Sequence, residues 1–342
     1  MTSAFLPVLL VGSALRTSLE QMYLRAFQAI GINEVELLDM ESGRPSLLRN
    51  RVVNRLLPDT GHAWAGQRLL AYLRNSGKRY RRIIIFKGMQ FSRRALEECR
   101  KFAPAALWVN INPDDPYNLV SRAVSNANVI ESLSFFDAYC IWSRSIADKL
   151  RADGHKKVVY LPFGYDTTYH VPNGQTSQAA PASISFIGTW DRERETVLAT
   201  LAGYNVRIYG SNWKRAARTF PLRSGLAHRV VFGQEIASIT ASSAICLNLL
   251  RPQNRGSHNM RTFEIPAMGG LTLTNRTEEQ QEFFPEGDAC YMYEGVTELK
   301  EKIEHILVNK PEAELIRAKG MELVEAHSYT NRVRFLLNEL AH

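Results

Sequence analysis

Short apolar runs alternate with longer amphipathic stretches along almost the whole chain, and this alternation constrains the fold more than any other feature. In the first half, Phe5 to Val11 reads as a strand, Leu15 to Ile30 as a helix and Glu34 to Asp39 as a second strand. His62 to Ser76 follows as a helix, Arg82 to Phe86 as a strand and Arg93 to Phe102 as a helix. Ala106 to Ile111 is a strand halted at Asn112-Pro113-Asp114-Asp115-Pro116. Ala138 to Trp142 and Val158 to Leu161 read as strands around a helix from Ser145 to Asp153. Beyond Asp166 the texture turns to Pro172-Asn173-Gly174 and Ala179-Ala180-Pro181-Ala182, which bury little and stop helices, so 171–182 is read as a linker.

A second series then begins. Ile184 to Ile187, Asn205 to Tyr209, Arg229 to Phe232, Ala244 to Leu249 and Leu271 to Thr274 read as strands. Arg192 to Leu201, Ile236 to Ser242, Thr262 to Met268, Glu298 to Leu307, Glu312 to Ala326 and Asn331 to Leu340 read as helices. Strands interleaved with helices imply parallel sheets covered on both faces. The expected fold is α/β, with two facing doubly wound Rossmann-like domains over 1–170 and 183–325. Such sheets place their functional loops beyond the carboxyl ends of the strands.

The 342 residues suffice for two cores of ordinary size. The net charge of +8 is uneven: residues 1–170 hold 23 basic and 15 acidic side chains, and the remainder 19 of each. An acidic partner would therefore meet the first half, with Arg79, Arg81, Arg82, Arg93 and Arg94 as the basic group to test. Nucleic acid is one such partner, but no finger, helix-turn-helix block or aromatic RNP pair supports it. Cys99, Cys140, Cys246 and Cys290 are too scattered for a zinc pair or a disulfide framework, which points to a reducing compartment. Ala4 to Gly12 is too short to span a bilayer and has no basic residue before it, so it reads as a first strand and the expected location is the cytoplasm.

Two loops of the second half hold chemistry. In Ser185-Phe186-Ile187-Gly188-Thr189-Trp190-Asp191-Arg192, a glycine ends an apolar run just before a helix, whose free N–H groups suit phosphate oxygens. Arg192 or Arg194 would add a cation; read alone, the segment supports an ordinary strand-to-helix turn. The second loop, Arg251 to Met260, leads into Arg261-Thr262-Phe263-Glu264. An arginine at a helix start meets unfavourable partial charge unless an anion receives it, while a carboxylate can accept both hydroxyls of a vicinal diol. Either a ligand or a mutual ion pair explains Arg261 and Glu264. Gly269-Gly270 closes that helix, either to admit a ligand or as a helix stop.

These blocks, with Val206 to Gly210, Trp213, Leu247 to Leu249, His327-Ser328-Tyr329-Thr330 and Arg332, resemble the carboxyl half of the CgeB-like, spore-maturation-type glycosyltransferases, within the two-domain GT-B class. Asn112 to Pro116 and Tyr160-Leu161-Pro162-Phe163-Gly164 are similar to blocks of the amino half. The resemblance implies transfer of a hexose from a nucleotide-diphosphate sugar, by default a UDP-sugar, to an acceptor hydroxyl. It also implies a terminal helix, 326–342, that crosses back to the first domain. It casts Glu264 as the ribose ligand, Gly188, Thr189, Trp190 and Arg192 as the turn facing the diphosphate, and Arg255 or Arg261 as its cation. Tyr209, Gly210 and Trp213 stand where a nucleobase wall is expected. Related retaining enzymes carry a further glutamate where this chain has Gly256, so the sugar contact departs from the pattern.

Retention without a metal or other cofactor is the expected chemistry. An inverting enzyme of the same fold, or a noncatalytic sugar-nucleotide or nucleic-acid binder, is the alternative. Asp114 or Asp115 could bind the acceptor or act as base, or merely make a turn. His62, read as following a loop at Pro58 to Gly61, and His258, near the donor cluster, are the imidazole candidates for the base. The remaining histidines have no ligand-like spacing, which disfavours zinc. Phe5, Phe186 and Phe232 are expected in the core.

Overall fold

Val8-Leu9-Leu10-Val11 and Ile83-Ile84-Ile85 are aliphatic runs too short for a helix, and every one of these residues is buried, as strands covered on both faces require. The computed structural model describes residues 7–46, 58–120, 124–172 and 183–341. Two compact units emerge, Met1–Pro162 with Arg332–His342, and Phe163–Asn331.

The first unit runs β1 (Val8–Gly12), α1 (Leu19–Ala29), β2 (Val35–Asp39), α2 (Pro58–Ser76), β3 (Arg82–Phe86), α3 (Arg93–Arg100), β4 (Leu107–Asn112), α4 (Ala127–Ser132), β5 (Ala138–Ile141), α5 (Arg144–Ala152) and β6 (Val158–Tyr160). Its strands lie in the order β2-β1-β3-β4-β5-β6, and every pairing is parallel. The chain steps from β1 to β2 and then returns past β1 to β3, so the topological switch lies between β1 and β3. Leu9, Val11, Ile83, Ile85 and Trp108 bury one face of this sheet against Leu69 and Leu73 of α2 and Leu96 of α3. Helix α1 starts later than its apolar pattern suggests because the Ser18 hydroxyl caps it, accepting from the Gln21 N–H at 3.3 Å.

The second unit contains β7 (Ile184–Ile187), α6 (Arg192–Ala199), β8 (Val206–Tyr209), α7 (Gln234–Ser242), β9 (Ile245–Asn248), α8 (Arg261–Ala267), β10 (Thr272–Asn275), α9 (Glu278–Phe283), β11 (Tyr291–Tyr293), α10 (Gly295–Val308) and α11 (Lys310–Val324). The strand order is β11-β10-β9-β7-β8, again wholly parallel, with the switch between β7 and β9. A last helix, α12 (Tyr329–Glu339), begins in the second unit, and from Arg332 onward the chain belongs to the first.

Several expectations need correction. Arg229 to Phe232 is not a strand: beyond the edge strand β8 an isolated bridge joins Ile208 to Leu226 and the Gly210 N–H bonds the Arg229 carbonyl, but no ladder continues among the described residues, and Val230 and Phe232 stand 45% and 59% exposed. Phe186 is in the core as expected, whereas Phe232 is on the surface. The unit boundary falls after Pro162 rather than His170. Phe163 donates its N–H to His258, Tyr165 bridges to Ser328, and a Cβ on Gly164 would sit 2.6 Å from the His327 carbonyl oxygen. Phe5, His342 and 173–182 of the expected linker lie outside the described residues.

Ile84 sits in a strand with neighbours on both sides and no exposure. Ile84→Ala is expected to lower stability by about 3 kcal/mol, read as a fall in denaturant midpoint at unchanged slope.

Candidate functional site

At the carboxyl edge of the second sheet two glycines meet. Gly188 follows β7 and Gly210 follows β8, and a Cβ on Gly210 would lie 2.1 Å from the Gly188 carbonyl oxygen. Gly210 also has φ +134°, a backbone region that L side chains rarely adopt. The same Gly188 oxygen accepts the Trp213 indole N–H at 2.8 Å. Trp213 is buried, stacked on Phe220 and edge-on to Phe186, and Tyr209 is buried beside Val231, Ile236 and Met268. These two aromatics build the core beneath the edge and are not an open nucleobase wall, which corrects that expectation.

The turn after Gly188 is likewise engaged from within. Thr189 accepts a hydrogen bond from the Ser211 hydroxyl at 3.0 Å, and Trp190 donates its indole N–H to Glu195 at 2.7 Å under the Arg215 guanidinium. Asp191 caps α6 by accepting the Arg194 N–H at 2.9 Å, and Glu193 and Glu195 lie in the first turn. This helix start thus already carries negative charge, so it does not offer an uncapped cradle for a diphosphate; Arg192 beside it is exposed. Arg194, in contrast, is buried and donates to the Leu249 carbonyl through Nε and Nη2 and to the Thr189 carbonyl through Nη1. Burial, with Arg251 and Arg261 nearby, pushes its pKa down to about 10 against the pull of Asp191. It pins the ends of β7 and β9 together.

Beside this pin lies Glu264 on α8, buried with one oxygen paired to the Arg261 guanidinium. Arg261 also donates Nε–H to the Ile187 carbonyl at 3.3 Å, which fixes the pair to the end of β7. The other Glu264 oxygen lies 3.5 Å from His170 Nε2. The ion pair and the ligand reading are therefore compatible, because a carboxylate has about four lone-pair directions and one cation leaves others open. His170 was not singled out from the sequence, since nothing local marks a histidine separated from Glu264 by most of a domain.

The Arg251 to Met260 loop is welded to α9 by buried polar groups. Asn248 and Asn259 exchange side-chain amide hydrogen bonds at 2.8 and 3.2 Å. Gln280 accepts from Thr262 at 2.8 Å and from Thr274 at 3.1 Å, and Thr277 donates to the Ser257 carbonyl. His258 is fully buried; its Nε2 accepts the Phe163 N–H at 3.2 Å, so the ring proton sits on Nδ1, 2.9 Å from Glu279. With both nitrogens engaged it is an anchor and not a proton acceptor, which corrects its candidacy as base. Gly256, where the resembled enzymes place a glutamate, has φ +80°. Arg255 is exposed and pairs with Glu193. Gly269, at φ +80°, ends α8, and a Cβ on Gly270 would overlap Thr240, Ile265 and Cys246, so both serve helix termination and close packing.

In the first unit a cavity of about 830 Å³ opens at the β1/β3 switch, lined by Gly12, Ser13, Glu20, Glu41, Arg44, His62, Trp64, Lys87 and Gln90 among others. His62 lies within α2 and not in a loop ahead of it, and it faces this cavity. Lys87 holds φ +60°, unusual for a residue with a side chain, and its ammonium contacts Asp114 at 2.5 Å. Asp114 is thus part of an ion pair, while Asp115 accepts the Tyr117 N–H and makes the turn. The basic cluster is divided: Arg79, Arg81 and Arg82 stand at the amino end of β3, and Arg93 and Arg94 open α3 past its carboxyl end, with about 13 Å of strand rise between.

The four cysteines are free and buried, and burial raises their thiol pKa values, to about 11 for Cys246 and about 12 for Cys99 and Cys290. Among the described residues no group of three or more His, Cys, Asp and Glu side chains is gathered to hold a metal ion, and no helix is long and apolar enough to cross a membrane.

Two parallel sheets, each flanked by helices, define the GT-B architecture. Residues 192–338, less than half of the chain, match the family model described as glycosyl transferase-like. A sucrose-phosphate synthase from Thermosynechococcus elongatus superposes with a TM-score of 0.71 at 14% identity, covering 98% of this chain and 99% of that one. Anabaena HepE in complex with UDP-glucose gives 0.66 at 12% identity, with 98% and 99% covered. The N-terminal domain of a Candida albicans trehalose-6-phosphate phosphatase gives 0.65 at 12%, with 98% and 97% covered. At such identities the likeness is one of fold, and the spread of names illustrates that a fold hosts several activities. No curated protein sequence matches the chain. The family-model match and the fold together support glycosyltransferase activity.

Gly210→Ala should destabilise the second unit by about 3 kcal/mol, since it adds backbone strain to a collision with the Gly188 oxygen. Thermal unfolding of the variant measures this, and an unchanged midpoint would contradict the contact.

Proposed function

We propose that the protein is a metal-independent, retaining glycosyltransferase of the CgeB-like kind that moves a hexose from a nucleotide-diphosphate sugar, a UDP-sugar by default, to an acceptor hydroxyl. The observation that carries this reading is the buried Glu264 at the carboxyl edge of the second sheet, held by Arg261 inside the stretch that matches the glycosyltransferase-like family model. Two carboxylate oxygens match the spacing of vicinal ribose hydroxyls, and charged acceptors make the stronger hydrogen bonds. Arg261, with Arg251 on the same edge, supplies positive charge for the departing diphosphate, where negative charge grows as the glycosidic bond breaks. A metal would do the same work, and these arginines are the reason to leave it out of the reading.

The engagement of His258 and the pairing of Asp114 with Lys87 leave His62 and Asp115 as base candidates for an inverting alternative, and retention is preferred from the resemblance to the retaining enzymes. The acceptor is assigned to the first unit's cavity. Its cations Lys87 and Arg44 are paired with Asp114 and Glu41, as Arg261 is with Glu264, and they remain the groups that an anionic acceptor would engage. A cytoplasmic location accords with four free, buried cysteines.

The reading is tested by mass-resolved turnover of nucleotide sugars with cell extract, where product mass reports both the sugar and the acceptor; a bound but intact donor would favour a noncatalytic binder. Glu264→Gln is expected to weaken nucleoside diphosphate binding by about 1.5 to 3 kcal/mol in calorimetry. Unchanged affinity in the folded variant would remove Glu264 from the site. Exhaustive chelation should leave turnover nearly intact, and a loss restored by magnesium or manganese would reverse the metal assignment.

A further inference from the structure

His170 lies in the segment that enters the second unit, and its ring is locked by its own turn. The Asp166 N–H donates to His170 Nδ1 at 3.0 Å, while the His170 N–H donates back to the Asp166 carbonyl at 2.8 Å. The Asp166 carboxylate is occupied in the same turn, accepting the Thr168 N–H at 2.8 Å. Because Nδ1 is an acceptor, the neutral ring carries its proton on Nε2. That nitrogen lies 3.5 Å from Glu264 Oε1, the oxygen that Arg261 does not pair with, and both side chains are buried.

We infer that His170 is a positioning residue for the donor site: its tautomer-locked Nε2–H steadies one Glu264 oxygen while Arg261 steadies the other, fixing the carboxylate plane for a vicinal diol. This rests on the proposed reading of Glu264 as ribose ligand. A carboxylate gripped at one oxygen can rotate about its terminal torsion, which is broad; a second donor removes that freedom before the ligand arrives. Its direct contact is with Glu264, so its effect on binding passes through the ribose.

Two substitutions separate the halves of the ring. In His170→Gln the amide nitrogen takes the place of Nε2 and keeps a donor toward Glu264. In His170→Asn the amide oxygen takes the place of Nδ1 and keeps the bond from Asp166 but loses that donor. Calorimetry is run with UDP, GDP and ADP, then with the 2′,3′-dideoxy form of whichever binds most tightly. We expect His170→Asn to weaken the ribonucleotide about tenfold and His170→Gln by no more than about threefold, with neither affecting the dideoxy form. A purely structural role predicts no such split between ribo and dideoxy forms. If His170→Asn binds like the original, or His170→Gln is as weak as His170→Asn, the inference is overturned while the Glu264 reading stands. If none of the three nucleotides binds, or the dideoxy form binds the original protein equally well, the reading of the site fails and the inference with it.

Discussion

Every ladder in both sheets is parallel, and the placement of chemistry in this molecule depends on that constraint. Parallel strands need crossovers that return over the faces of the sheet, so all carboxyl ends in a sheet share one edge and the loops gather there. Where the strand order reverses, the two neighbouring loops leave in opposite directions and a gap opens between them. In the first unit that gap is the cavity between the ends of β1 and β3. In the second it is narrower and holds Arg194, Arg261 and Glu264 around the ends of β7 and β9.

A charged cluster at such an edge is useful only if its supports are rigid. The long loop before α8 is made rigid by buried amides and hydroxyls, from Asn248 with Asn259 to Gln280 with Thr262 and Thr274. Inside a low-dielectric interior each of these bonds is stronger, and each would be costly to leave unmade, so the network defines one loop conformation. His258 extends the weld to Phe163, the first residue of the unit, and Arg194 ties the β9 end to the turn after β7. Glu264 and Arg261 therefore sit on a helix whose approach is fixed from both sides.

The strands and most helices could be read from hydrophobic periodicity because parallel sheets demand continuous apolar runs, as in Ile83 to Ile85. Periodicity failed where continuous pairing was lacking: Val230 to Phe232 is apolar enough for a strand, but along this stretch only scattered bonds, such as the Gly210 N–H to the Arg229 carbonyl, are made among the described residues. It also missed Tyr291–Tyr293, three residues at a sheet edge, and α9, whose polar face belongs to the buried network. The Arg261–Glu264 ion pair was legible, because an arginine at a helix start asks for an anion. Trp213 and Tyr209 read as a nucleobase wall and His258 as a base, because a sequence window cannot show that an indole N–H already meets a carbonyl or that both imidazole nitrogens are bonded. His170 was invisible for the opposite reason, since its significance arises only from a partner brought close by folding.

As proposed above, the carboxyl edge of the second sheet holds the nucleotide through Glu264. A crystal structure of the protein soaked with UDP tests it most directly. Both ribose hydroxyls are expected within about 3 Å of the Glu264 oxygens, with the diphosphate toward Arg261. A nucleotide seated in the first unit's cavity, or bound at the second edge with its ribose turned away from Glu264, would contradict it.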